Sequence, residues 1–182
     1  MEIFFVRHGL TQSNIEKRLM GARINDPLSP QGHEQAQNVA QQINRDFNIL
    51  FSSPLLRAYQ TAEYFAQVLK LPIHVREELK ERDCGILSGC SWDEVAIKTN
   101  GELTYEKLKA HEELNYSKYG GETTAIVLAR LEKFLAEIIK LYADKKVLIV
   151  SHGGIIRLMY RHFKKGEMPP ELGNLSLHKF II

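Results

Sequence analysis

The sequence predicts an α/β protein, a mostly parallel central sheet covered by helices on both faces. Three observations carry that expectation. Short apolar runs of strand length recur at 3–6, 49–51, 73–75, 147–150 and 177–182, each bounded by polar or turn residues. Longer stretches with apolar residues at helical spacing lie between them, and strands alternating with helices imply parallel crossovers. Finally, Ile3-Phe4-Phe5-Val6 and Val147-Leu148-Ile149-Val150 are apolar without alternation, as central strands buried on both faces should be.

Taken in order, the first run gives way to Arg7-His8-Gly9-Leu10-Thr11, with Asn14 three residues on. Residues 30–47 set Ala36, Val39, Ala40, Ile43 and Phe47 on one helical face. Ser53-Pro54 reads as a helix start, with Ser as N-cap and Pro in the first turn, opening a helix over 54–70 that turns Ala58, Ala62, Phe65, Ala66 and Leu69 inward. Thr123 to Tyr142 carries Val127, Leu131, Phe134, Leu135 and Ile138 along one stripe, and a last helix is expected from Ile155 to Phe163. Residues 1–182 read as one domain without repeats or linkers. The least regular part, 83–121, contains five glycines and reads as a helical excursion over one edge, with 90–120 as its cap-like portion.

Composition excludes several classes. The 182 residues are 44% hydrophobic and 25% charged, an ordinary globular balance, and a chain this long buries roughly 70% of its unfolded surface without a disulfide or metal. A net charge of +2 is too small a surplus for a nucleic-acid partner, so any functional positive charge must be local. The apolar runs fall far short of the ~20 residues needed to cross a bilayer. Met1 leads into a strand without a basic flank or cleavage site, so no signal peptide is expected and a cytoplasmic location follows. Cys84 and Cys90 match no zinc spacing and are expected reduced and uninvolved.

The chemistry sits where strands end. Val6 runs into Arg7-His8-Gly9, Val150 into Ser151-His152-Gly153-Gly154, and Phe51 into Ser52-Ser53-Pro54-Leu55-Leu56-Arg57. Ligands of open α/β sheets bind outside the carboxyl ends of the strands, so two histidines and two arginines converge on one place. Desolvating four basic groups together is costly, and a bound anion is the natural compensation. Guanidinium forks suit phosphate oxygens, and helices opening at Gly9, Pro54 and Gly153 would add N–H groups and positive dipole ends. An imidazole beside bound phosphate points to nucleophilic attack on phosphorus, and the neighbouring cations should hold His8 neutral. For the leaving group's proton, Leu79-Lys80-Glu81-Arg82-Asp83-Cys84-Gly85 offers Glu81 and Asp83, although the same residues also suit a solvated loop.

Together these residues resemble the histidine phosphatase superfamily, in its phosphoglycerate-mutase-like branch 1. The resemblance rests on Arg7-His8-Gly9-x-Thr11-x-x-Asn14, Leu28-Ser29-x-x-Gly32 with Gln35-Ala36, Ser52-Ser53-x-x-x-Arg57-Ala58-x-x-Thr61-Ala62, Leu79-x-Glu81-x-x-x-Gly85, Gly120-Gly121-Glu122 and Ser151-His152-Gly153. These motifs cover essentially the whole chain in the expected order. The resemblance implies a three-layer α/β/α sandwich, no metal and no cofactor. It implies His8 as the phosphorylated nucleophile, with Arg7, Asn14, Arg57 and His152 around the phosphate. It selects Glu81 as general acid and then base. Thr11, Gly153 and Arg82 complete the expected substrate contacts, and Asn174, just before the last strand, stands where an asparagine borders the pocket in several relatives.

Departures from the pattern bear on the activity. Leu10 stands where an acidic residue is common, Cys84 replaces the tyrosine of glycolytic mutases, and Leu87-Ser88-Gly89 lacks the Trp-Glu-Gly of α-ribazole phosphatases. The chain is shorter than those mutases, and the shortfall is expected within 90–120. A reduced cap excludes water poorly, which favours a phosphatase of small phosphomonoesters over a 2,3-bisphosphoglycerate-dependent mutase. An inactive phosphate-binding scaffold is a further alternative. A metal hydrolase is disfavoured by the adjacent arginines and by the lack of His-x-x-x-His. A cysteine phosphatase fails because Cys-x5-Arg is missing: Cys90 and Ala96 occupy the sixth positions. Selectivity should come from Leu10, Arg82, the 21–25 loop and 90–120, with Arg23 and Arg82 available to a second anionic group. The expected partner is a small phosphorylated metabolite, and oligomeric state is left open.

Overall fold

The computed structural model describes residues 1–44, 46–110, 113–164 and 172–181. Five strands form one sheet: β1 (Glu2–Arg7), β2 (Ile49–Ser52), β3 (Ile73–Val75), β4 (Lys146–Ser151) and β5 (Leu177–Ile181), in the spatial order β3-β2-β4-β1-β5. All neighbours run parallel except β5, an antiparallel edge strand on β1. The two unbroken apolar runs are adjacent strands in the interior of the sheet. The final strand-like run extends to Ile182, which lies outside the described residues.

Successive residues of β1 and β4 point to opposite faces and meet different helices. Ile3, Phe5, Val147 and Ile149 pack with α6 (Thr124–Leu141) and α7 (Gly153–Phe163). Val6, Leu148 and Val150 pack on the other face with α2 (Pro30–Gln42) and α3 (Leu56–Leu69). The result is the expected three-layer α/β/α sandwich.

The expected helix over 30–47 stops at Gln42. Ile43 is an extended C-cap, and beyond it Asn48 accepts the Lys146 N–H through Oδ1 at 2.9 Å, tying the connection to β4. Phe47 remains buried, edge-on to Phe4, so the apolar spacing had continued across a loop. Between β3 and α6 the chain forms two short helices, α4 (Trp92–Lys98) and α5 (Tyr105–Lys109), with single 3-10 turns around them. Leu87, Trp92, Val95, Leu103, Leu114 and Tyr116 give this excursion its own apolar cluster, separate from the two beside the sheet.

Candidate active site

Strand register brings the site together. Arg7 is paired with Ser151 and Ser52 with Val150, so His8, His152 and Ser53 are the next residues of three neighbouring parallel strands. The ladder continues one step further: His8 N–H donates to the Ser151 carbonyl at 2.9 Å and Ser53 N–H to the Val150 carbonyl at 3.0 Å. The imidazoles of His8 and His152 lie with centroids 5.2 Å apart, both buried.

His8 has a defined tautomer. Its Nδ1 lies 2.8 Å from the Gly9 carbonyl, which can only accept, so Nδ1 carries the proton and Nε2 keeps its lone pair. Burial, then the charges of Arg57 and Arg7, hold the ring well below its ordinary pKa range, so it is neutral at pH 7. His152 is neutral for similar reasons, burial first and then Arg57 and His8. Its Nε2 lies 2.8 Å from Ser53 Oγ, while its buried Nδ1 has no partner.

The two arginines present the same feature. Arg57, 1% exposed in the first turn of α3, donates through Nη1 and Nη2 to the carbonyls of Ile24 and Gly21, both at 2.8 Å. Arg7 donates through Nη1 to the Leu172 carbonyl. Burial lowers both guanidiniums from their ordinary range to about 10, still charged at neutral pH. The Nε of each is buried and without a partner. The two arginine Nε atoms are donors awaiting an acceptor, with the unpartnered Nδ1 of His152 a third polar atom left unmatched.

A cavity of about 560 Å3 opens over Arg7, His8 and Arg57, lined also by Leu10, Gly153 and the helical excursion's Trp92, Tyr105 and Tyr116, whereas His152, expected at the phosphate, does not itself line it. Eight lysine and arginine side chains line it against one carboxylate, that of Glu81, among the described residues. Glu81 is held from two sides: Oε1 accepts the Arg82 N–H at 2.9 Å and Oε2 the Gly154 N–H at 3.0 Å. Asp83, the other candidate, is absent from the cavity lining; it pairs with Arg23 at 2.7 Å and accepts the Gly85 N–H.

Several expected contacts resolve differently. Thr11 does not line the cavity; its hydroxyl caps α1 (Gln12–Ile15), accepting the Asn14 N–H, and the residue is fully buried. No helix opens at Gly9, whose N–H is taken by Thr61 Oγ1 at 2.9 Å. Ser53 is not an N-cap: α3 starts at Leu56 behind the uncapped Leu55, and the Ser53 hydroxyl is engaged with His152. Arg82 lines the cavity but spends Nη1 on the Leu114 carbonyl and faces the Tyr116 ring, which makes it a support of the excursion. Arg23, exposed and paired with Asp83, takes no part in the lining. Asn14 does line it, with Oδ1 accepting from Thr11 N–H and Asn174 Nδ2. Asn174 reaches further still, donating to the carbonyls of His8 at 2.9 Å and Gly9 at 3.2 Å.

Arg157 was missed by the sequence reading. It lines the cavity, and a Cβ placed on Gly153 would lie 3.4 Å from Arg157 Nη1 and 3.6 Å from Arg7 Nε, so the two guanidiniums converge there. The signal was available: Arg157 is four residues beyond Gly153 on the helix that opens at His152, hence on the same face.

A sheet whose strand ends hold a neutral histidine among guanidiniums with unmatched donors defines an α/β enzyme of phosphate esters. Residues 3–180 match the histidine phosphatase superfamily (branch 1), and the chain belongs to that family. It is thereby a phosphoric monoester hydrolase. It is 33% identical over 177 residues to the uncharacterized phosphatase PhoE of Bacillus subtilis, covering 96% of this chain and 82% of that one. It is 31% identical over 161 residues to phosphoserine phosphatase 1 of Hydrogenobacter thermophilus, covering 88% and 74%. Among solved structures it resembles a mycobacterial glucosyl-3-phosphoglycerate phosphatase in complex with VO3, with a TM-score of 0.82 at 27% identity and coverage of 98% and 91%.

Proposed function

We propose that the protein is a metal-independent phosphatase of small phosphomonoesters that works through a phosphohistidine on His8. The observation that carries this reading is the state of His8: a buried, neutral ring with Nδ1 engaged on the Gly9 carbonyl, leaving Nε2 as the nucleophilic nitrogen. Arg7, Arg57 and His152, whose unmatched atoms suit phosphoryl oxygens, hold the dianion. Nε2 attacks phosphorus as the bond to the leaving oxygen breaks, and the guanidiniums stabilise charge on the equatorial oxygens. Glu81 gives its proton to the departing alkoxide. Glu81 then takes a proton from water, the water oxygen attacks phosphorus, and the P–N bond breaks to restore neutral His8 and release phosphate.

The absence of a metal from this scheme rests on charge: crowded cations repel a divalent ion, and they do its work on the phosphoryl oxygens. The same surplus favours substrates with a second anionic group, and Arg157 replaces Arg23 and Arg82 as the side chain to receive it. Phosphoserine and glucosyl-3-phosphoglycerate, named for two relatives, each carry a carboxylate beside the phosphate. Residues 90–120 act as a short cap on a single catalytic unit, acting on soluble cytoplasmic metabolites.

The test is phosphoenzyme trapping with a labelled phosphomonoester, quenched in alkali where a phosphoramidate survives. Label is expected on the wild-type protein and none on His8→Ala, with turnover unaffected by EDTA. Label persisting on His8→Ala, or activity lost to EDTA and restored by zinc, overturns the mechanism. Phosphoryl transfer between positions of phosphoglycerate, in place of phosphate release, would make the protein a mutase.

A further inference from the structure

The motif Gly120-Gly121-Glu122 contributes nothing to the cavity wall, yet it is built tightly against the segment that bears Glu81. Glu122 bonds Asp83 in both directions: its N–H donates to the Asp83 carbonyl and its Oε2 accepts the Asp83 N–H, both at 2.9 Å. The approach requires glycine before it, since a Cβ on Gly121 would fall 2.4 Å from the Asp83 carbonyl oxygen. Two turns along α6, Arg130 completes the clamp. Its Nη2 donates to Glu122 Oε2 and to the Glu81 carbonyl, both at 3.3 Å, and its Nη1 donates to the Glu78 carbonyl. The pair is three-quarters or more buried, with side-chain exposures of 18% for Arg130 and 23% for Glu122.

We propose that Glu122 and Arg130 are positioning residues for Glu81: they fix the backbone of 78–83 so that the carboxyl stays at the leaving group. The inference rests on Glu81 being the general acid. It follows from the bonding pattern, because Arg130 grips the carbonyl of Glu81 itself and that of Glu78 three residues before it, while Glu122 grips the Asp83 peptide two residues after. Among the described residues, the side-chain hydrogen bonds of Arg7, Arg57, His8 and His152 all go to groups outside the clamp, whose link to them is the Arg130 charge, which adds to those that keep His152 neutral. Loss of the clamp should therefore weaken proton delivery and spare phosphate binding.

Leaving-group dependence separates this role from a merely structural one. A p-nitrophenolate departs without a proton, whereas an alkoxide does not. For Glu122→Ala, kcat/KM with an alkyl phosphomonoester should fall about 10–100-fold, the penalty of an acid displaced by roughly 1 Å, while p-nitrophenyl phosphate stays within about twofold. Glu122→Gln, whose carbonyl oxygen can still accept the Asp83 N–H, should recover most of the loss. Equal falls with both substrates, or no fall with either, overturn the proposal. If Glu122→Ala does not fold, Arg130→Lys carries the same test, since an ammonium keeps the charge but cannot span two carbonyls and a carboxylate. Glu81→Gln, assayed alongside, distinguishes the failures: if it too shows no leaving-group dependence, the acid assignment falls; if it alone does, only the clamp falls.

Discussion

Replacing Gly154 by Ala should disable the acid without disturbing the fold. Gly154 is the second residue of α7, in helical backbone, and its N–H holds Glu81 Oε2. A Cβ there would lie 2.3 Å from Glu81 Oε1 and 3.2 Å from Oε2. Ordinary contact begins near ~3.5 Å, so the carboxyl must withdraw by roughly 1 Å and the Gly154 bond is lost. A withdrawal of that size costs on the order of 10²-fold in rate, within the ~10²–10⁴ that a general acid supplies. Stability responds oppositely: Ala in a helix gains about 0.5–1 kcal/mol over Gly, which offsets the lost hydrogen bond. The obstructing atom is the end of a flexible side chain, so the backbone need not move. The assay is kcat with an alkyl phosphomonoester, beside vanadate affinity and urea midpoint. The expected outcome is about a 100-fold loss of kcat with vanadate affinity and midpoint nearly unchanged. Near-wild-type turnover in Gly154→Ala, when Glu81→Gln loses at least that much, would refute the reasoning that the Gly154 N–H sets the position of the acid.

Further outcomes follow from the same geometry. Arg57→Lys should reduce kcat/KM by about 10²–10³-fold, because Arg57 uses both Nη groups on the 21–24 loop and only a fork leaves Nε for the phosphoryl group; steady-state kinetics near wild type would remove Arg57 from the pocket. Acid should destabilise the fold before carboxylates titrate. His8, His152 and His178 are buried, with native pKa values below the unfolded 6.5, that of His178 at about 4, chiefly through burial. The unfolded chain therefore binds the extra protons, and stability present above pH 6.5 is lost on descending below it. His178 alone costs about 1.4 kcal/mol at pH 5.5, and His8 and His152 act in the same direction. Urea midpoints at pH 7.5 and 5.5 measure this, and equal midpoints would show that the three rings are not held neutral.

The layered sheet, the order of its elements and the convergence of Arg7, His8, Arg57 and His152 were legible in the sequence. Apolar periodicity reports which face of each element is dry, and the crossovers of a parallel sheet send every strand's carboxyl end to the same side. What tertiary structure decided were the partners of groups whose local readings were equally satisfactory. Ser53 had all the marks of a helix cap, but a hydroxyl bonds whatever acceptor or donor lies nearest, and that is His152, 99 residues away. Thr11 went the other way, from expected substrate contact to cap of a four-residue helix. Between Glu81 and Asp83 the bare sequence had no preference; Gly154 N–H draws one carboxylate to the cavity while Arg23 holds the other outside. Arg157, Glu122 and Arg130 acquire meaning only when α6 and α7 dock beside the strand ends. A side chain's chemistry is local, but the identity of its partner is set by packing between segments far apart in the chain.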